Sequence, residues 1–169
     1  MKKFVLVVAL VAILGAGTAF ASPVHPDGFG IGALWTGHMD FGGGGLWNGA
    51  ALSLHIPGVP VFWGIQLGFG NALSIGVIGD GYFLGSELVN TLSWFLGVGG
   101  YVNLHLGDEA AIGLGVRVPI GLTWQPIDLI EVFFNSGLSL GLSIWTYGDG
   151  GVHFPDFGMP IELGIRFWF

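Results

Sequence analysis

The feature that most constrains this chain is a period-two alternation of apolar with small or polar residues, which recurs in segments of about ten residues. In the clearest segment, Ala110–Trp124, every even position is apolar, and the odd positions carry Ala, Gly, Arg, Pro or Thr. Successive side chains of a strand point to opposite faces, whereas a helix would scatter both sets around its circumference. The pattern therefore predicts strands with one apolar face.

Seven other segments complete the predicted set of strands: Phe29–Thr36, Leu46–Ile56, Val59–Phe69, Ala72–Leu84, Leu92–Leu106, Asp128–Ile144 and a last strand from Ile161 to Phe169. An even number of antiparallel strands can close into a ring, which leaves no unpaired edge and puts both termini on one side. The sequence predicts an all-β fold: an eight-stranded antiparallel up-and-down transmembrane barrel formed by residues 22–169.

The composition favours a barrel in lipid over a soluble one. Only 9% of the residues are charged, against about 25% in soluble domains. A lipocalin-like soluble barrel, the main alternative, needs a charged outer face, but the non-apolar face here is mostly Gly, Ser and Asn. After removal of the N-terminal lysines, two arginines oppose 11 acidic residues, a net charge of −9. This charge excludes nucleic acid as a partner.

The N-terminus has the organisation of a secretory signal peptide. Two lysines precede the apolar run Phe4–Leu14, and small residues follow, ending in an A-x-A cleavage signature at Ala19 and Ala21. The apolar run is shorter than the ~20 residues that a spanning helix needs. We expect residues 1–21 to be removed, so that the mature chain begins at Ser22.

The C-terminus resembles the assembly signal of bacterial outer-membrane barrels, with its slots filled by Glu162, Gly164, Phe167 and Phe169. This resemblance implies recognition by the barrel-assembly machinery through strand pairing. The mature chain as a whole resembles the OmpA/OmpX class of eight-stranded barrels. That likeness implies a bacterial outer-membrane location, with membrane lipid as a partner.

A closer resemblance, to the small BAPKO-type outer-membrane barrels of spirochaetes, is confined to the C-terminal third. It rests on the segments Arg117–Trp124, Glu131–Phe134 and Arg166–Phe169. That family has no established enzymatic activity, so the resemblance supports location more than function.

Five charged residues fall on the small-or-polar face, which would point into the lumen: Arg117, Arg166, Glu131, Glu162 and Asp80. Because an unpaired charge in a narrow lumen is costly, we expect each arginine to pair with a carboxylate, with Glu131 between the two. The network is interpreted as a salt-bridged plug bracing the wall, or as a selectivity ring in a small pore. The plug is favoured because eight strands leave little open lumen.

The inward glycines are expected to make room for four large side chains, those of Phe95, Tyr101, Phe133 and Trp168. Leu129 is expected on the inner face of the seventh strand.

No motif points to catalysis, a metal or a cofactor. The five histidines lack HExxH-type spacing. His38 and His153, in the two longest predicted outer loops, could bind a metal together with loop aspartates, but all five histidines are interpreted as solvated residues. Ser53 and His55 share an inner face, whereas outer-membrane lipid deacylases use Ser and His that face lipid. We therefore expect a non-enzyme.

The two longest predicted outer loops, Gly37–Gly45 and Trp145–Phe157, suggest a structural or surface-interaction role, since loops on a rigid scaffold commonly carry binding. Host or envelope proteins are the partners expected there. The alternative function is a narrow pore or conduit for small solutes or apolar ligands.

Overall fold

The computed structural model describes residues 24–41, 45–68, 73–106, 110–145 and 151–169. The predicted signal peptide, with Ala19 and Ala21, lies outside these ranges. The eight strands are β1 (Gly30–Asp40), β2 (Gly45–His55), β3 (Phe62–Gly68), β4 (Leu73–Val89), β5 (Leu92–Leu106), β6 (Ala110–Ile127), β7 (Ile130–Trp145) and β8 (Gly151–Trp168). Each pairs antiparallel with its sequence neighbours, and β8 pairs with β1 to close the barrel. The predicted fold is confirmed.

Among the described residues, no helix has the length and apolar character needed to cross a membrane.

The register of the eight pairings fixes the geometry of the ring. One line of paired residues starts at Gly30 and returns to β1 at Asp40, ten residues further along; it passes through His55, Phe62, Asp80, Gly99, Arg117, Ser139 and Gly158. A stagger of this kind requires strands that tilt steeply to the barrel axis, roughly 35–45°, around a narrow interior.

The period-two pattern divides the wall into an apolar outside and a mixed inside. Along β3, residues alternate between buried and exposed. The buried set includes Phe62 and Gln66, and the exposed set includes Ile65 and Leu67. Large apolar side chains are thus exposed on the outside, while arginines and carboxylates are buried in the lumen.

Several strands run further than the alternation predicted. Residues 37–40 belong to β1, Gly85–Val89 to β4 and residues 151–157 to β8, although all were expected in loops or turns. A register shift between Tyr82 and Leu84 interrupts the alternation of β4, and another, where Gly141 and Ser143 pair with Asp156 and His153, interrupts that of β8. Beyond these shifts the sequence pattern no longer marks the last residues of β4 and the first residues of β8 as strand.

One of the predicted turns also moves. β6 continues through Gln125 and Pro126 to Ile127, and Leu129 lies in the turn that follows. Leu129 is 46% exposed there, so its predicted inward position is wrong. The predicted turn at Pro57-Gly58 is present, and Gly58 adopts a φ of 74° that favours glycine.

The prediction that inward glycines accommodate large neighbours is confirmed. A Cβ at Gly164 would lie 2.5 Å from Cζ of Phe133, and one at Gly121 would lie 2.5 Å from Cζ of Phe95. Other inward glycines face the remaining two rings in the same way: Gly115 and Gly141 face Tyr101, and Gly30 faces Trp168. The narrow lumen is filled because glycine on one strand makes space for a ring on another.

Candidate functional site

Arg117 lies at the centre of the first of two ion-pair clusters in the lumen. Its Nε donates to Oδ1 of Asp80 at 2.8 Å, and Nη2 donates to Oδ2 of the same carboxylate. On its other side, Nη1 and Nη2 donate to Oε1 and Oε2 of Glu162 at 2.6 and 2.9 Å. All three side chains are buried. The guanidinium therefore makes a bidentate pair with each carboxylate, the geometry that arginine suits best.

The register shows how Arg117 on β6 reaches Asp80 on β4. Gly99 of β5 lies between them, paired with both. A Cβ at Gly99 would overlap Oδ1 of Asp80. The absent side chain on the middle strand thus leaves the path along which the two charges meet.

Arg166 and Glu131 form the second cluster, closer to the chain termini. Nη1 of Arg166 donates to Oε2 of Glu131 at 2.7 Å. Glu131, with no exposed side-chain surface, also accepts hydrogen bonds from Nε1 of Trp168 at 2.7 Å and from Oγ1 of Thr123 at 2.8 Å. The carboxylate exchanges its hydration for three directed donors, which is how a buried charge is tolerated.

The rest of the Arg166 guanidinium is held by Ser53 and by aromatic rings. Nε and Nη2 donate to Oγ of Ser53 at 3.2 and 2.9 Å, and Gly32 is the residue between Arg166 and Ser53 in register. The guanidinium carbon lies 4.6 Å from the ring centroid of Phe133 and 4.7 Å from that of Phe62. These cation–π contacts replace part of the water that the cation loses.

The N-terminal residues close the terminal end of the barrel over this second cluster. The side chain of His25 is almost fully buried, with Nε2 3.2 Å from Oε1 of Glu131. Its ring lies 4.7 Å from that of Phe62 and 5.1 Å from that of Tyr82. Burial lowers the pKa of His25 below its usual value, and this effect exceeds the opposing influence of Glu131. The interpretation of the histidines as solvated residues is therefore wrong for His25, and it is also wrong for His55, which is buried.

The sequence-predicted residues form two clusters rather than one. Glu131 pairs with Arg166, while Arg117 is held by Asp80 and Glu162, so Glu131 does not bridge the two arginines as expected. The partners that the prediction missed are Ser53, Thr123, Trp168 and His25. The alternation already placed Ser53, Thr123 and Trp168 on the inner face. Which residues they contact across the barrel depends on the stagger between strands, which the alternation does not show. For His25, outside any strand, the pattern gave no signal.

Two small cavities adjoin the clusters, of about 30 and 20 Å³. The first is lined by Asn103, whose Oδ1 is buried without a hydrogen-bond partner. The second is lined by Asn135, whose Oδ1 is likewise unsatisfied. Each volume is enough for one or two waters. These dimensions describe a lumen filled by side chains, with room for only a few waters.

The arrangement offers no nucleophile–base pair at Ser53 and His55. Oγ of Ser53 accepts from Arg166, and Nδ1 of His55 donates to the carbonyl of Gly28 at 2.8 Å. Within the described ranges, no group of three or more His, Asp or Glu side chains is placed to hold a metal ion.

The four residues of the predicted assembly signal lie in or directly after β8. Glu162 lies in the lumen, Gly164 lies against Phe133, and Phe167 is on the outer face. Phe169 exchanges two backbone hydrogen bonds with Phe29, at 2.8 and 3.0 Å, which prolongs the β1–β8 seam.

No protein-family model matches this chain, and no curated protein matches it. Among solved structures, it is similar to the crystal structure of Neisserial surface protein A, with 15% sequence identity and a TM-score of 0.47. The similarity covers 83% of this chain and 97% of that one. The closed eight-stranded barrel is established by the strand pairing itself.

Proposed function

We propose that this chain is a non-enzymatic bacterial outer-membrane barrel with a closed lumen, acting as a structural and surface-interaction protein. The main support is that burial is the reverse of that in a soluble protein. The outside is apolar around the ring, while two arginines and three carboxylates are buried inside. Soluble proteins rarely expose apolar patches beyond a few hundred Å², but hydrocarbon favours such a face. Spirochaetal membership is part of this proposal, supported by the C-terminal segments quoted above.

Tryptophans at the terminal end support one boundary of the membrane. Nε1 of Trp94 donates to Oγ of Ser86 at 2.8 Å, and Nε1 of Trp124 donates to Oγ1 of Thr91 at 3.1 Å. Both indoles thus have polar partners at the end where the chain termini lie. Aromatic rings with one polar contact are typical of the membrane–water interface.

The packed lumen favours a structural barrel over the alternative of a narrow pore. The guanidiniums of Arg117 and Arg166 are both bonded across the interior, and a solute would have to displace them from their carboxylates. Reconstitution in planar bilayers tests this. We expect no reproducible channels from the folded protein, and regular single-channel steps would instead support the pore.

The surface available for interaction includes the outer end of the β7–β8 hairpin. β1 ends at Asp40 opposite Gly158, so residues 151–156 of β8 run beyond it. A tilted transmembrane strand needs about 9–11 residues, and β8 has 18. Val152 and Phe154 are 67% and 66% exposed there. We call this end, residues 140–145 with 151–157, the projecting hairpin, and its apolar side chains suit the apolar surface of an envelope or host protein.

A pull-down with the folded barrel tests the projecting hairpin. The double variant Val152→Ser/Phe154→Ser should lose specifically retained proteins, because apolar anchors dominate such contacts. Glu87→Gln, an exposed position near the opposite end of the barrel, is the control and should retain them. Equal recovery with all three proteins would contradict a role for this hairpin.

A further inference from the structure

The outer wall contains a pair of adjacent glycines in a belt otherwise occupied by large apolar side chains. In register across four strands lie Trp63 of β3, Gly79 of β4, Gly100 of β5 and Val116 of β6. All four are at outward positions of the alternation. Because the two middle positions have no side chain, the wall is recessed between Trp63 and Val116.

This recess is a groove of about 200 Å³ on the outside of the barrel. Its floor is Gly79 and Gly100, its two sides are Trp63 and Val116, and Gly81 and Val98 border it towards the terminal end. We call it the β4–β5 groove. Its lining contains no charged side chain.

The Trp63 ring forms one side of the groove and lies partly over Gly79 in its floor. A Cβ built at Gly79 would lie 3.1 Å from Cζ3 and 3.4 Å from Cε3 of Trp63. The ring therefore already covers part of Gly79, in the manner by which aromatic side chains protect strand glycines. Gly100 is the next floor position, and Val116, 46% exposed, stands on its far side.

We propose that the β4–β5 groove binds an acyl chain of a bilayer phospholipid. This inference rests on the proposed function, which places the outer wall in hydrocarbon. A recess lined mainly by apolar atoms holds water only weakly, and a recess left empty loses dispersion contacts along its lining. A flexible methylene chain can follow a narrow groove between two ridges and recover those contacts.

A second copy of the barrel fits this groove less well. Stable protein interfaces bury about 800 Å² on each partner with close complementarity. The groove spans four strands of a convex wall, and the ridges formed by Trp63 and Val116 hold a rigid neighbouring barrel away from its floor. A single chain of methylenes needs no such matching surface.

Native mass spectrometry after reconstitution in phosphatidylethanolamine–phosphatidylglycerol vesicles and mild detergent extraction tests the proposal. We expect one phospholipid retained per barrel. Gly100→Leu fills the floor and should reduce the lipid-bound fraction about tenfold, as expected for loss of a few methylene contacts. Val116→Phe narrows the groove from its side and should reduce retention in the same direction. Ile120→Leu, outward on β6 but outside the groove, should match the unaltered protein.

The possible outcomes distinguish a failure of the groove proposal from a failure of the proposed membrane location. Heat-modifiable gel mobility of each variant shows that it has folded. Equal lipid retention by the unaltered protein and both groove variants, or no retention by any, would overturn the proposal while leaving the barrel in the membrane. Dimers lost on Gly100→Leu would overturn it in favour of a second copy. Recovery of the unaltered protein as a soluble species would instead refute the proposed function.

Discussion

Arg117 reaches Asp80 across an intervening strand, its Nε 2.8 Å from Oδ1, because the residue between them in register is Gly99. Arg166 reaches Ser53 over Gly32 in the same manner. In both cases a glycine on the middle strand allows a buried cation to find a partner two strands away. The inward glycines therefore contribute to electrostatic satisfaction as well as to the packing of large rings.

Gly99→Ala should destabilise the barrel by separating Arg117 from Asp80. The new Cβ would overlap the carboxylate and lie 2.5 Å from the carbonyl oxygen of Gly79. Breaking a buried ion pair costs about 3–5 kcal/mol, which urea unfolding in lipid vesicles would measure. Gly113→Ala is the matched control: it is also inward, but its nearest neighbour would be 3.9 Å away. An equal loss in both variants would show that Gly99 matters only as a strand glycine.

The fold was largely predictable from the sequence, but the site was predictable only in part. Alternation shows which face a residue occupies, so Arg117, Arg166 and the three carboxylates were placed in the lumen. It does not show the stagger between strands, and the stagger decides that Glu131 meets Arg166 while Glu162 meets Arg117. Likewise, β8 was expected to start at Ile161 but starts at Gly151, and a register shift between His153 and Asp156 interrupts the alternation in its first residues.

Val116→Arg should lower the free energy of unfolding much more than Val152→Arg does. Val116 lies on the outer face within the belt assigned to lipid, where arginine costs roughly 2–4 kcal/mol near the bilayer midplane. Leu114→Arg should behave like Val116→Arg. Val152 lies on the projecting hairpin, where the charge would remain in water and cost about 0–1 kcal/mol. Comparable unfolding free energies for the two positions in lipid vesicles would contradict the placement of the membrane.

Deleting Phe169 should lower the amount of folded protein in the outer membrane without reducing export. Its backbone pairs with Phe29 at the β1–β8 seam, and the C-terminal strand resembles the signal read by the assembly machinery. Quantifying the heat-modifiable form against total exported protein measures the effect. Unchanged levels of the folded form would refute the assignment of the signal.

Docking of the N-terminal residues should weaken in mild acid. Burial holds the pKa of His25 below its ordinary value of about 6.5. Below that pH, undocked His25 takes up a proton that the docked form resists. The docked state therefore loses stability as pH falls through about 6.5, and the loss levels off below the lowered pKa.

Hydrogen exchange of residues 24–29 measures this docking. After correction for intrinsic rates, protection should fall several-fold between about pH 7 and about pH 5. His25→Phe keeps the aromatic packing but removes the titrating group, so its protection should not follow this pH dependence. The other four histidines remain in both proteins. A parallel decline in the variant would assign the effect to another group.

The location and gel mobility of the native protein test most directly whether it is an outer-membrane barrel. Membranes separated from the soluble periplasm should contain it in the outer-membrane fraction, resistant to protease within the barrel. The unheated protein should migrate differently from the heated one, because a closed barrel keeps its compact shape in detergent. Recovery of the folded protein in the soluble periplasmic fraction would contradict the account.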